Sequence, residues 1–162
     1  MRERRLIVRV SRELLPAASR VVERALADTR YLAGAVDALR SAVLAPSTDA
    51  SALASTLGER LEGAIVYGFF GGASGAGRVQ IVAVVDDARR AGVGAAMMRD
   101  ALAALRDQGA RFVLAELPDD SYALPGAREF LESFGFREES RVNDFYRDGL
   151  ALSFMRLELV GS

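Results

Sequence analysis

The sequence predicts an α/β fold in which a mixed β-sheet carries helices on both faces. Short runs rich in β-branched residues alternate with segments of helical periodicity. Three strands follow one another in the middle of the chain, and a β-α-β-α-β order precedes the last strand, which favours parallel pairing inside the sheet. The 162 residues match the size of one domain, and we expect a single domain over residues 1–162.

The first half of the chain predicts a strand, two helices and two more strands. Pro16 suits the first turn of the first helix, with Ser11 as a candidate cap. Pro46 and the polar residues after it end the second helix. The strands are expected at 6–10, 51–57 and 61–70, and the helices at 16–27 and 31–43.

The second half contains the longest helix, whose apolar residues recur at helical spacing up to a C-capping Gly109. A glycine-rich stretch at 71–77 lies between two strands with no helix start after it, so a hairpin connection is favoured over a phosphate-binding loop. Strands are expected at 78–85, 111–117, 136–142 and 150–159, and a short helix at 127–134. The whole order is β-α-α-β-β-β-α-β-α-β-β.

Composition excludes several classes of chemistry. The chain has no Cys, no His and no Lys, so all 21 basic residues are Arg. This excludes disulfides, Cys nucleophiles, Ser-His-Asp triads, Lys Schiff bases and nearly every catalytic zinc site. We therefore expect no metal site. Acidic and basic residues are interspersed, which argues against a nucleic-acid partner.

The sequence also favours a cytoplasmic protein without a membrane partner. The apolar run after the charged start is interrupted by Arg9 and is too short for a signal peptide. No stretch approaches the roughly 20 apolar residues of a membrane span.

The segment from Val84 to Ala95 is the most informative for chemistry. A buried strand leads through a short loop into a long helix, whose first N–H groups lack intrahelical partners and carry the positive end of the helix dipole. Gly92 and Gly94 allow an anion to approach the backbone, and Arg89 and Arg90 add positive charge. A tight turn that needs small residues would explain the same glycines, and spacing alone leaves both interpretations open.

Two motifs in this chain resemble those of the GNAT (general N-acetyltransferase) superfamily. Residues 89–94, Arg-Arg-Ala-Gly-Val-Gly, resemble its R/Q-x-x-G-x-G/A motif, and Val84 stands in its V-x-P position, although Asp86 replaces the proline. Residues 127–136 resemble A-x-x-F-Y-x-x-x-G-F. Residues 141–149 are similar to the ending of a bacterial subgroup, which Tyr67-Gly68 and Glu116 also suit. The resemblance in sequence spans residues 61–159. Over the first 60 residues it is limited to the order of helices and strands.

The resemblance implies a GNAT-like fold and transfer of an acetyl group from acetyl-CoA, the co-substrate, to a primary amine of a small molecule or peptide. In this family the diphosphate rests on the loop before the long helix, and the pantetheine arm pairs with the strand that ends near Val84. A backbone N–H there would stabilise the oxyanion by about 3 kcal/mol. The implied cofactor-binding residues are Val82, Val84, Arg89, Arg90, Ala91, Gly92, Val93, Gly94, Ala95 and Arg128.

The catalytic residues are less clearly implied, because Leu131 stands where the family commonly has a Tyr that protonates the leaving thiolate. Tyr122 or Tyr146 are the candidate replacements, although the interpretation of each as a half-exposed structural tyrosine is favoured. Glu116 is the candidate base. A structural pairing of Glu116 with Arg111 or Arg128 is the alternative, as is a water chain in place of a carboxylate base.

Two other function classes stay open at this level. The departures at Leu131 and Asp86 are compatible with a catalytically degenerate GNAT-fold domain that binds CoA or a protein partner without turnover. An interaction module independent of CoA is the third. The resemblance also leaves a homodimer open.

Overall fold

The computed structural model describes residues 2–71 and 75–159, and these form a seven-stranded mixed sheet with four α-helices. The expected α/β class and element order are confirmed. The strand order is β1-β2-β3-β4-β5-β7-β6. The strands are β1 Arg5–Arg9, β2 Ser51–Leu57, β3 Arg60–Phe69, β4 Ala76–Val84, β5 Phe112–Pro118, β6 Arg137–Arg147 and β7 Leu150–Glu158; the helices are α1 Leu15–Ala25, α2 Leu32–Leu44, α3 Val93–Asp107 and α4 Ala127–Ser133.

Element ends differ from expectation mainly where strand pairing decides them. Strand β6 continues to Arg147 instead of ending at residue 142, because Arg147 pairs with Leu150 at the start of β7. Ser11 lies one turn before α1, where its hydroxyl accepts the N–H of Leu14 at 3.4 Å. The glycine-rich stretch connects the antiparallel strands β3 and β4 as a hairpin, and its residues 72–74 lie outside the described part of the chain.

Helices cover both faces of the sheet centre. Strand β3 is buried along eight consecutive residues and contacts both α1 and α3, as a strand covered on two sides must. The buried side of α3 consists of small and flexible apolar side chains, among them Met97, Met98 and Leu105. No helix in the described ranges combines the length and apolarity needed to cross a bilayer.

The parallel pairing of β4 with β5 is short, and this opens the sheet. The two strands pair only from Ala76 with Phe112 to Val79 with Ala115, after which they diverge. β4 nevertheless continues to Val84 and β5 to Pro118. Between them, the sheet is open at the carboxyl ends of two parallel strands, which is where ligands bind in open α/β sheets.

Phe136 should be the most sensitive position in the part of the core beside α4. Its side chain is fully buried, so we expect Phe136→Ala to lower the free energy of unfolding by about 3 to 5 kcal/mol. Phe145→Ala is the matched control, because Phe145 is 54% exposed and its ring contact with Tyr146 contributes about 1 kcal/mol. Urea unfolding followed by circular dichroism measures both. Equal losses would contradict this assignment of the core.

Candidate active site

A cleft of about 850 Å³ opens where β4 and β5 diverge. Its floor is formed by Val79 to Val84 of β4 and Ala115 to Pro118 of β5. One wall comes from the end of α1 and the start of α2, and the other from α4 and the loop before it. The start of α3 closes one end, and Tyr146 of β6 lies among the residues that line the cleft. The volume is in the range of small-molecule sites.

The start of α3 presents backbone donors to this cleft. Gly92 precedes the helix with a φ of 75°, a left-handed conformation that favours glycine, and it lines the cleft together with Gly94 and Ala95. Within the described residues, the N–H groups of Val93, Gly94 and Ala95 have no backbone acceptor. A Cβ on Gly92 would meet no atom within 4 Å. This end can therefore hold an anion such as a diphosphate.

Arg89 lines the cleft and joins its floor to one of its walls. Its Nε donates to the carbonyl of Val84 at 3.3 Å, and its Nη2 donates to the carbonyl of Ala25 at the end of α1 at 3.5 Å. Nη2 also lies 3.3 Å from Asp86, the residue in the position of the motif proline. The Asp86 side chain is 85% exposed. Its ion pair with Arg89 offsets part of the negative charge that would otherwise repel an anion bound here.

The remaining residues of the loop contribute in different ways. Val82 and Val84, both expected to bind the cofactor, line the cleft. The side chain of Val93 instead lies in the core, 1% exposed, against the backbone of Gly63. Arg90 and Ala91 are exposed and do not line the cleft.

An irregularity in β4 lies beside the point of divergence. Tyr67 pairs with Val79 and Val66 with Ile81, so Gln80 has no opposite residue on β3 and forms a bulge. On the other side, the pairing with β5 has already ended at Val79. The β5-facing edge of β4 from Gln80 onward therefore has no strand partner in the described residues. An extended ligand that carries amides can pair with such an edge.

Two tyrosines lie together in the lining of the cleft. Tyr31, just before α2, and Tyr146, near the end of β6, both line the cleft, and their ring centroids are 5.2 Å apart in an edge-to-face contact. The Tyr31 hydroxyl donates to Asp120 Oδ2 at 2.7 Å. This bond joins the helix wall to the loop after β5.

Burial raises the pKa of both phenols above the ordinary value of a tyrosine. Burial, and then the negative charge of Glu116, raise the pKa of Tyr146 to about 12. Burial and the bond to Asp120 raise the pKa of Tyr31 further above its ordinary value. The same bond holds the pKa of the Asp120 carboxyl below its usual range. At neutral pH the cleft thus contains two neutral phenols, of which Tyr146 has no acceptor assigned by the structure.

A local turn explains why Tyr146 points inward. Every other residue of β6 is exposed. Asp144 takes a left-handed φ of 54°, and its Oδ1 accepts the N–H of Gly149 at 2.7 Å. The register with β7 shifts between Val142 and Arg147 across this turn. The motif residues 143–146 therefore reorient the strand and deliver Tyr146 to the cleft.

Glu116 lines the cleft, and its partner is Arg78 rather than Arg111 or Arg128. The Nε and Nη2 atoms of Arg78 donate to Glu116 Oε1 at 3.1 and 2.8 Å. Both side chains are partly exposed, at 29% for Arg78 and 25% for Glu116. Glu116 Oε2 has no hydrogen-bond partner among the described residues, so it is the oxygen that can accept a proton.

Leu131 and Tyr122 lie at opposite extremes of burial. Leu131 is 6% exposed and lines the cleft, so the position of the motif tyrosine is filled by a buried aliphatic side chain. The Tyr122 side chain is 97% exposed in the loop before α4 and does not line the cleft. The structure therefore brings Tyr146, and not Tyr122, to the candidate site.

Arg128 was expected to bind the cofactor, but its side chain does not line the cleft. It donates to Ser153 Oγ and Glu138 Oε1, both at 3.3 Å, and lies 3.7 Å from Asp119. Ser153, fully buried, also donates to Glu138 at 2.7 Å and, with Arg128, holds the pKa of that carboxyl below its ordinary range. Arg128 thus ties α4 to the β6–β7 hairpin, because its helix position turns it toward β7 rather than toward β4.

Sequence reasoning missed Tyr31, Asp120 and Arg78 as residues of the site. Tyr31 and Asp120 are 89 positions apart, and their contact follows from the packing of α2 against the opened sheet. Arg78 had no local signal, because its partner lies on the next strand. A usable hint was the position of Tyr31 at the start of the second helix, next to the polar residues that separate the two helices.

We expect Arg128→Met to leave the affinity for CoA unchanged within about twofold and to lower the melting temperature. Methionine keeps much of the side chain's length but leaves Glu138 and Ser153 without their Arg partner. Isothermal titration with CoA and a thermal melt measure the two effects. Arg89→Met is the matched comparison, because Arg89 lines the cleft, and it should weaken CoA binding. Weaker CoA binding by the Arg128 variant alone would contradict the structural role.

Comparison with known proteins agrees with this geometry. The family model for the acetyltransferase (GNAT) domain matches residues 53–138, about half of the chain. None of the curated proteins matches the sequence. Among solved structures, a protein assigned to the GNAT family from Desulfovibrio desulfuricans is 22% identical, with 97% of this chain and 100% of that chain covered and a TM-score of 0.85.

Two further structures have the same fold over nearly their whole length. The ribosomal-protein-S18-alanine N-acetyltransferase from Escherichia coli is 18% identical, with coverages of 98% of this chain and 96% of that chain and a TM-score of 0.77. An aminoglycoside 6'-N-acetyltransferase complexed with coenzyme A is 14% identical, with coverages of 97% and 98% and a TM-score of 0.77. The strand order, the loop before α3 and the match over residues 53–138 lead to one assignment: this chain belongs to the GNAT acetyltransferase family.

Proposed function

We propose that residues 1–162 form a single cytoplasmic domain that transfers an acetyl group from acetyl-CoA to a primary amine of a small molecule or peptide. The observation that carries the proposal is the cleft at the divergence of β4 and β5. It combines free backbone donors at the start of α3, an unpaired strand edge, and the phenol of Tyr146 within the electrostatic influence of Glu116.

The cleft fits acetyl-CoA in three chemical respects. The start of α3 offers N–H groups and the helix dipole to a diphosphate. The free edge of β4 offers backbone groups to the amides of the pantetheine arm. The aliphatic residues Val82, Val84 and Leu131 give the same cleft an apolar lining. The neighbour solved with coenzyme A supports the same ligand class.

Bound acetyl-CoA would supply the thioester that the amine attacks, and the chain would supply position and charge. The β4 edge around the Gln80 bulge can direct an N–H at the carbonyl oxygen, which develops negative charge during attack. Holding both reactants in one cleft removes the need for a covalent enzyme intermediate. The absence of Cys, His and Lys therefore does not oppose this reaction.

Tyr146 is the proposed acid, because it is the phenol in the cleft without an acceptor of its own. Its hydroxyl is protonated at neutral pH and can donate to the sulfur as the thiolate departs. The raised pKa of about 12 makes it a weaker acid than a free phenol, so its position, and not its acidity, supports this role. Tyr31 is the proposed positioning residue. Its hydroxyl is committed to Asp120 at 2.7 Å, and its ring holds that of Tyr146 edge-to-face.

Glu116 is the proposed base through Oε2. Arg78 holds Oε1 and so fixes the rotamer of the carboxylate at the end of β5. The ammonium form of an acceptor amine has an ordinary pKa of about 10 in water, so it must lose a proton before it attacks. Glu116 Oε2 is the carboxylate oxygen in the cleft wall that is free to take it, directly or through a water.

One observation favours the second candidate, a domain that binds CoA without turnover. The motif tyrosine is replaced by the buried Leu131, and half of the candidate base is held by Arg78. Thiol release from acetyl-CoA in the presence of a panel of amines separates the two candidates. Release that depends on an amine supports the enzyme. A CoA-dependent rise in melting temperature without thiol release supports the binding domain, and no thermal shift with CoA overturns both.

The charge of residue 94 should control CoA binding. A Cβ on Gly94 would lie 3.4 to 3.5 Å from Phe130 and Val84, which is ordinary contact, so the backbone there accommodates a Cβ. Gly94→Asp places a carboxylate against the diphosphate, and repulsion of up to about 4 kcal/mol predicts a Kd higher by up to about 1,000-fold. Gly94→Asn is the matched neutral control and should lose far less affinity for CoA. Equal Kd values for the two variants, from calorimetry, would exclude a diphosphate at this position.

Tyr146→Phe should lower kcat by about 100-fold or more with little change in the Kd for CoA, because it removes the acid and keeps the ring. Tyr122→Phe is the matched control and should have the same kcat as the unmodified protein, because the Tyr122 side chain is exposed outside the cleft. Since the pKa of Tyr146 is about 12, its ionisation should produce no loss of kcat between pH 7 and about pH 10. Equal rates for the two variants would return Tyr146 to a structural role.

A further inference from the structure

A second cavity lies outside the candidate active site. It has a volume of about 480 Å³ and is lined by the end of β1, the turn before β2, the start of β2, Tyr67 of β3 and Gln108 after α3. By strand alternation from Gly63, which faces Val93 and Met97, Tyr67 projects to the side of the sheet that carries α3. The cavity thus occupies the part of that side beyond the last turn of α3.

Tyr67-Gly68, a sequence pair that the active site does not use, builds this cavity. A Cβ on Gly68 would lie 2.2 Å from the carbonyl oxygen of Asp49, so only glycine lets the turn approach β3. The approach is held by the N–H of Phe69, which donates to the carbonyl of Thr48 at 3.0 Å. Thr48 in turn lines the cavity beside Tyr67.

Two polar groups of the cavity have no hydrogen-bond or ion-pair partner among the described residues. Tyr67 as a residue is 7% exposed, and its hydroxyl makes no hydrogen bond there. No fully enclosed side-chain oxygen of the described residues lacks a partner, so this hydroxyl is open to the cavity, where a ligand can reach it. Arg9 also lines the cavity and forms no ion pair with any described carboxylate.

The chemistry of the wall selects an oxyanion. The hydroxyls of Ser47, Thr48, Ser51 and Tyr67, the Gln108 amide and the Arg9 guanidinium line the cavity, and no carboxylate does among the described residues. Burial raises the pKa of Tyr67 while the charge of Arg9 lowers it, so the guanidinium acts directly on the phenol. The negative charge of Asp100 on α3 raises the pKa of the Tyr67 phenol, which is opposite to the effect of Arg9. Asp100 does not line the cavity.

We propose that the cavity of Arg9, Tyr67 and Gln108 binds a small oxyanion group, a phosphate or a carboxylate, at a site separate from the acetyl-transfer cleft. Arg9 supplies the charge, the Tyr67 hydroxyl donates one hydrogen bond, and the turn at Thr48 and the Gln108 amide supply further donors. The anion satisfies the phenol that the protein leaves unpaired.

The test follows the full-length protein by two-dimensional ¹H–¹⁵N NMR, at constant ionic strength, in titrations with inorganic phosphate, acetate and glycerol. The Gln108 side-chain amide and the Tyr67 backbone amide report on this cavity. The amides of Gly92 and Gly94 report on the start of α3, and a parallel titration saturated with CoA fills that site. Failure of the proposed function therefore appears at different residues from failure of this proposal.

We expect saturable shifts at Gln108 and Tyr67 with phosphate or acetate, and the anion that saturates first identifies the group. Arg9→Gln and Tyr67→Phe should each raise the apparent Kd by about tenfold or more, whereas Arg40→Gln, an exposed arginine of α2, should not. Gly68→Ala should abolish the shifts by displacing the turn from β3. Shifts that never saturate, that persist in Arg9→Gln, or that glycerol reproduces would overturn the proposal.

Discussion

The short parallel pairing of β4 with β5 is the constraint on which the candidate site depends. Four residue pairs, ending at Val79 and Ala115, hold the two halves of the sheet together before they diverge. A longer pairing would close the cleft and remove the free edge of β4. The divergence is stabilised from both sides, since β3 continues alongside β4 to Val84 and β7 pairs with β5 along its whole length. Where β4 and β5 diverge, β4 therefore remains paired with β3, and β5 remains paired with β7.

The walls of the cleft are joined by a few long-range polar contacts rather than by continuous packing. Arg89 connects the end of α1 to the end of β4, and Tyr31 connects the start of α2 to Asp120 after β5. Arg128 holds α4 against the β6–β7 hairpin that carries Tyr146. These contacts are partly exposed, so each contributes little to global stability but fixes the position of one wall. Positioning of this kind matters more to catalysis than to folding.

Local patterns were sufficient to predict the elements and the loop before α3. Hydrophobic periodicity and the capping Gly109 located α3, and the β-branched runs located the central strands, because each signal lies within one segment. The partner of Glu116 was not predictable in this way. Arg78 meets it only through the register of two parallel strands, and the sequence offered Arg111 and Arg128 as equally plausible partners. The direction of Arg128 likewise depends on where β7 lies beneath α4.

The two cavities meet at one backbone position, which limits how they can influence each other. Tyr67 pairs with Val79, and Val79 is also the last residue of β4 that pairs with β5. A ligand that fixed Tyr67 would thus act beside the Gln80 bulge, where the free edge of β4 begins. Coupling between sites requires a ligand to favour one of two arrangements of the structure between them. The pairing of Tyr67 with Val79 places one lining residue of each site on either side of this register. A change in the register around Gln80 is therefore one direct route by which an anion in the cavity would alter the free edge of β4.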